Sequence, residues 1–236
     1  TLHNLVIDAT VNGNLSLENY LVYQHLKERH RRERDSYPQA LSLRVHRALS
    51  WLNKAEQCED YDSQFIFLWI AFNAAYAQDF DAKQDFSERG LYQEFLAKIE
   101  HLDTSRKLSE IVWSQYSTSI RLILNNEFIF QAFWKFQSGQ ITEEKWKQEQ
   151  SRAKAAANNA LASGDTTTVL SILFSRLYTL RNQLLHGGAT YNSQANREQL
   201  RDCTSLLSSL VPLVIEVMMD GADQIWGEAI YPLVQT

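Results

Sequence analysis

From residue 65 to residue 77 the chain reads Phe-Ile-Phe-Leu-Trp-Ile-Ala-Phe-Asn-Ala-Ala-Tyr-Ala, apolar on nearly every side however it is coiled. A helix with no polar face has to be enclosed by the rest of the molecule. The run is too short to span a bilayer and is interrupted by Asn73, so no membrane partner is expected. It predicts a central helix, with amphipathic elements packed round it. Eight Gly and three Pro in 236 residues leave few places for tight turns. The expectation is therefore an all-α bundle in one domain, long enough to bury a sizeable core.

The remaining pattern is helical. Residues 15–34 predict a first helix with Leu17, Tyr20, Leu21 and Leu26 inward. Pro38 opens a second, whose Leu41, Val45, Leu49 and Leu52 recur at helical spacing up to about Gln57. Asp60 or Asp62 is placed to cap the apolar helix. Gly164 breaks the chain, and Asp165 or Thr166 can cap a helix over 168–186 that stops at Gly187-Gly188. A last long helix over 194–219 contains Pro212, where a kink is expected. Its Leu206, Leu207, Leu210, Leu213, Val214 and Val217 face inward, and the tail from Trp226 packs back. Residues 86–163 carry less orderly stripes, with an aromatic stretch at 128–136 and an Ala-rich one before Gly164, and read as a helical insertion on a simpler bundle.

A net charge of −5 counts against broad, non-specific nucleic-acid binding but leaves room for a local phosphate site. Lys27, Arg29, Arg31, Arg32 and Arg34 form one basic cluster, with Glu28, Glu33 and Asp35 among them; the plain reading is a solvated helix end. The first residues carry neither the basic start nor the long apolar centre of a secretory signal. Cys58 and Cys203 have no metal or redox spacing, and free thiols fit a cytoplasmic location. There is no His-Glu-x-x-His, no Cys/His metal set, no Gly-rich phosphate loop and no nucleophile elbow, so neither a metal nor a cofactor is expected.

Residues 180–188, Leu-Arg-Asn-Gln-Leu-Leu-His-Gly-Gly, carry the chemistry. On a helical wheel Leu170, Phe174, Leu177, Leu184 and Leu185 lie within about 60° of Arg181, so a guanidinium stands in an apolar stripe. It is costly there unless paired, or unless that face lines a cleft or a partner surface. Snorkelling past its neighbours is the plain alternative. Asn182 and His186 share a neighbouring face. His186, at the helix end, can give or take a proton near neutral pH, and Arg181 can hold phosphate oxygens and stabilise charge developing at phosphorus. RNA brings its own nucleophile, the 2′-hydroxyl.

An Arg followed by a polar residue and then, after a few positions, a His resembles the motif of the HEPN superfamily (higher eukaryotes and prokaryotes nucleotide-binding). Arg181, Asn182 and His186 match it position for position. The run from Arg181 to Ser193, with Gly187, Gly188, Tyr191 and Asn192, looks like bacterial Apea-like HEPN proteins. The resemblance covers roughly residues 41–76 and 166–219. It implies a helical bundle that forms a homodimer with its motif helices facing, so that two Arg–His pairs make a composite site. It further implies a metal-independent endoribonuclease that leaves a cyclic phosphate, acting as a toxin with an antitoxin or regulatory partner, or as an antiviral defence effector. Arg181, Asn182 and His186 are then catalytic. Gly188 stands where toxins paired with a minimal nucleotidyltransferase often carry Tyr, which argues against an antitoxin that modifies such a Tyr. A non-catalytic HEPN module that binds nucleotide, RNA or a partner protein would keep the same fold and face.

Four further residues are candidates for substrate binding or support. Asn73 interrupts the apolar helix, and a buried amide needs partners; it either bonds backbone or orients Arg181 or His186. Tyr191 and Asn192 follow the glycine turn. Arg47, with Arg44, flanks the inner stripe of the second helix, where either is solvated or reaches phosphate.

Overall fold

The computed structural model describes residues 11–76, 88–194 and 197–229, with side chains from Val22 in the first helix and from Tyr92 in the fourth. Among the described residues the protein is all-α, with ten helices and no strand. They are α1 (Val11–Glu33), α2 (Gln39–Glu56), α3 (Tyr61–Tyr76), α4 (Glu88–Leu102), α5 (Lys107–Glu110), α6 (Ser117–Asn125), α7 (Gln131–Gln137), α8 (Glu143–Ser163), α9 (Thr166–Leu185) and α10 (Arg197–Asp220). The expected inward residues Leu17, Tyr20 and Leu21, and the tail beyond Ala229, lie outside the described side chains.

The apolar run forms α3, enclosed by α2, α9 and α10. Phe65, Leu68, Trp69, Ala71, Phe72 and Ala75 are buried. Aromatic contacts fix the registers. Phe72 meets Phe174 at 4.2 Å between ring centroids and Trp69 meets Tyr178 at 6.2 Å, so α3 and α9 run antiparallel. Trp51 stacks on Phe67 at 5.6 Å, and Arg44 reaches the Ala75 carbonyl, so α2 is antiparallel to α3 as well. α10 starts beside Asp62, where Arg197 is paired at 2.6 Å, and the chain after it returns to Arg44 at the far end of α3. These registers give the bundle two poles. One gathers the end of α2, the start of α3, the end of α9 and the start of α10. The other gathers the start of α2 and the ends of α1, α3 and α10.

Local chemistry sets the helix boundaries. Asp60 accepts the Ser63 N–H at 2.8 Å and caps α3; Asp165 accepts the Thr168 N–H at 2.9 Å and caps α9. Pro212 lies buried inside α10, which continues through it. α10 is long and apolar enough to cross a membrane, but two thirds of that stretch is buried in the bundle, as a core helix requires. Residues of the segment read as an insertion share this core: Tyr92, Leu96 and Ile99 of α4 pack against α9, and Leu108, Val112, Ile120, Ile123 and Ile129 extend it. Trp226 is buried and donates its indole N–H to the Gly221 carbonyl at 2.8 Å, so the chain does fold back after α10.

Arg44 corrects an expectation. Read as a solvated or phosphate-reaching side chain, it is 2% exposed and donates to the Ala75, Tyr76, Trp226 and Gly227 carbonyls. The last carbonyls of a helix have no partner within it. Arg44 supplies that partner to α3 and ties the returning tail down.

Candidate active site at the end of α9

Val169, Leu170, Leu173, Phe174, Leu177 and Leu180 bury the first four turns of α9. The helix then emerges: Arg181 through Leu184 are half-buried, and Leu185 and His186 are exposed. Arg181 therefore leaves the core at the point where the apolar stripe meets solvent. Its Nη1 donates to Asn182 Oδ1 at 2.8 Å, and the guanidinium carbon lies 5.7 Å from the Tyr178 ring centroid. Its Nε is buried with no acceptor among the described residues, and no described carboxylate forms an ion pair with it. Asn182 thus holds the guanidinium by a neutral contact, leaving the positive charge uncompensated.

His186 terminates α9. Its backbone N–H donates to the Asn182 carbonyl at 3.0 Å, and among the described residues no hydrogen bond or ion pair holds its imidazole. Gly187 follows at φ +70°, a left-handed conformation in which glycine carries no side-chain penalty. A Cβ at Gly188 would lie 3.3 Å from the Gln183 carbonyl oxygen, so both glycines serve the reversal that carries the chain off beside the imidazole. Ala189 N–H closes the turn on that same carbonyl at 3.1 Å.

The loop after α9 lies over the start of α3. Tyr191 is exposed and its phenol is held by Asp60, whose negative charge pushes its pKa up. Asn192, also exposed, adopts φ +54°. Gln183 donates to the Phe128 carbonyl at 2.6 Å, joining the motif turn to the aromatic stretch before α7. Exposed or half-exposed apolar side chains surround the pole: Leu185, Tyr191, Tyr61 and Phe128. Among the described residues no three His, Cys, Asp or Glu side chains gather as a metal-binding set.

Arg181, Asn182, His186, Tyr191 and Asn192 therefore share one pole. Asn73 and Arg47 do not join them. In the α3–α9 register Asn73 lies level with Phe174, two turns before Arg181, or about 10 Å along the axis. In the α2–α3 register Arg47 lies level with the second half of α3. An orienting contact from Asn73 to Arg181 or His186 does not fit that separation.

Glu56, which the sequence reading passed over, is partly buried at the motif end of α2. Its Oε2 has no partner among the described residues, and burial pushes its pKa up to about 8. The signal was present: Leu49, Leu52 and Glu56 follow one another at helical spacing, so the carboxyl continues an apolar stripe. Arg176, buried on α9 over the Phe130 ring at 4.0 Å, was likewise missed. Comparison of the chain with protein-family models, with curated proteins and with solved structures gave no match.

Proposed function

We propose that the protein is a metal-independent endoribonuclease of the HEPN type, working as a homodimer through Arg181, Asn182 and His186. The observation that carries this reading is the uncompensated guanidinium of Arg181 leaving the core near the end of the helix that His186, its imidazole unengaged among the described residues, terminates. A cation without a carboxylate partner suits a phosphodiester, whose oxygens accept the fork of donors that Asn182 pre-orients. In the reaction the RNA 2′-oxygen attacks phosphorus, the bond to the 5′-oxygen breaks, and a 2′,3′-cyclic phosphate forms. His186 takes the 2′-hydroxyl proton or delivers one to the departing 5′-oxygen. Arg181 stabilises the charge that builds on the non-bridging oxygens.

One Arg and one His are a thin set for this displacement, and a two-fold axis would double it. Exposed Leu185, half-buried Leu184 and exposed Tyr191 give the pole apolar surface suited to a self-complementary interface. In that arrangement Asn182 of one protomer is also placed to orient the His186 of its partner. Toxin or antiviral activity, with an antitoxin or regulator holding it in check, is the role in which such a nuclease would act.

The test is cleavage of a defined RNA in EDTA beside the same strand carrying a single 2′-deoxy substitution at the cut site. The expected result is a cyclic-phosphate end on the RNA, no cut at the substituted position, and a dimer mass by light scattering. Equal cleavage of the substituted strand would eliminate the 2′-hydroxyl mechanism.

A further inference from the structure

The opposite pole contains a cavity of about 410 Å³ lined by His30, Arg34, Tyr37, Gln39, Ser42, Leu43 and His46, at the junction of α1 and α2. No carboxylate lines it, although the chain as a whole is acidic. Glu33, whose carboxylate meets the lining residue Tyr37 at 2.7 Å, is also taken up by Arg32 at 2.8 Å and Arg29 at 2.9 Å. Arg29 is further held by Asp220 at 2.7 Å. Arg34 has only a 3.7 Å contact with Asp35, which is almost fully exposed.

His30 is 1% exposed, yet its Nδ1 has no partner among the described residues; its Nε2 faces Ser42 Oγ at 3.4 Å. A buried polar atom without a partner is costly, and His30, which carries one, lines this cavity, so a ligand entering it can offer the ring a hydrogen bond. On the other wall Lys27 Nζ lies 3.4 Å from His46 Nδ1, which leaves the other His46 nitrogen to donate. The His30 ring is 6.2 Å from that of Tyr37 and 6.3 Å from that of His46. Three rings and a seryl hydroxyl thus surround a space in which the charged lining side chain, among the described residues, is the cationic Arg34.

We propose that this cavity binds a small phosphate-bearing anion, with Arg34 and His46 as charged or donating contacts, and His30 and Ser42 at its floor. The electrostatics agree with the geometry. Lys27, His30 and His46 are all pushed down in pKa, first by burial and then by neighbouring cations, among them Arg31, Arg34 and Arg47. With these rings held neutral, the positive charge beside the cavity comes from Arg34 and Lys27, and it favours an entering anion. The volume suits one phosphate and a small attached group rather than a nucleic-acid strand. This site lies at the other end of α2 from His186, so it is separate from the proposed cleavage centre.

Titration of the intact chain with inorganic phosphate, read by calorimetry and by the histidine ring resonances in proton NMR, tests the proposal. Saturable binding that moves the His30 and His46 resonances is expected. Arg34→Ala and His46→Ala, both at exposed positions, should each weaken binding by roughly tenfold or more while leaving the melting curve in place. Binding that survives both substitutions but is lost in Arg181→Ala would put the phosphate at the motif pole and overturn the assignment. So would the absence of any phosphate binding, even if RNA bound through the same residues. None of these outcomes depends on cleavage, so the nuclease reading stands or falls separately.

Discussion

Arg44 and Arg181 both sit where a helix presents apolar residues, and they have opposite fates. Arg44 is almost completely enclosed and spends its donors on four main-chain carbonyls at the end of α3 and in the returning tail. Arg181 is half-buried and, among the described residues, hydrogen-bonds its neighbour Asn182 alone and keeps a buried Nε without an acceptor. The first is a structural clamp whose donors are taken by backbone carbonyls, while burial pulls its pKa down to about 10. The second is a half-buried cation with no carboxylate partner among the described residues. The lesson is that position in an apolar stripe marks an arginine as important, while the carbonyls or carboxylates around it decide whether it serves the fold or a ligand.

The largest effect should follow from breaking the clamp. Arg44→Leu leaves buried carbonyls at the α3 terminus and beside Trp226 without donors, and is expected to cost about 3–5 kcal/mol. Urea denaturation monitored by tryptophan fluorescence would register it as a lower midpoint. Arg181→Leu removes one hydrogen bond at the surface and relieves an unpaired Nε, so its stability should stay within about 1 kcal/mol of the parent. If both variants lose comparable stability, the contrast between clamp and available cation is wrong.

Glu56 sharpens the comparison from the acidic side, because it too lies on an apolar stripe without a full set of partners. Its pKa stands near 8 in the fold against an ordinary 4.5, so the folded chain keeps a proton that the unfolded chain releases. The unfolded state therefore binds fewer protons between those values, and this group's contribution to stability declines as pH rises from about 4.5, levelling off beyond about 8. Glu56→Gln should remove that decline and raise the melting temperature at pH 8 more than at pH 5. An equal change at both pH values would show that the carboxyl titrates normally.

Much of the fold was readable because burial and periodicity are local properties. An all-apolar segment must be central, and α3 is. Asp60, Asp165 and the Gly187-Gly188 stop lie where cap chemistry puts them. What periodicity does not contain is register between helices. Asn73, as a buried amide in the apolar helix, was a candidate to orient Arg181 or His186, and Arg47, beside an inner stripe, a candidate to reach phosphate, yet the Phe72–Phe174 and Trp51–Phe67 contacts place both toward the other pole. Arg44 was misread for the same reason, since the carbonyls that receive it come from the end of α3 and from the tail after α10, far away in the chain. The reading of residues 86–163 as an addition followed from their uneven stripes. Tyr92, Leu96 and Ile99 are nevertheless buried in the same core as the inner residues of α2. The site's Arg181, Asn182, His186, Tyr191 and Asn192 could be gathered from sequence because one helix end and its turn supply them all.

The central claim is that the pole at the end of α9 cuts RNA and that His186 moves the proton. His186→Ala, assayed beside the parent for RNA cleavage in EDTA, thermal melting and dimer mass, tests it most directly. The imidazole is exposed and contributes no packing to the core, so the variant should melt within about 1 kcal/mol of the parent and remain dimeric. Cleavage should fall by roughly 10²–10⁴-fold. A folded variant that cuts RNA at the parental rate, or a parent chain that does not cut RNA at all, would contradict the account.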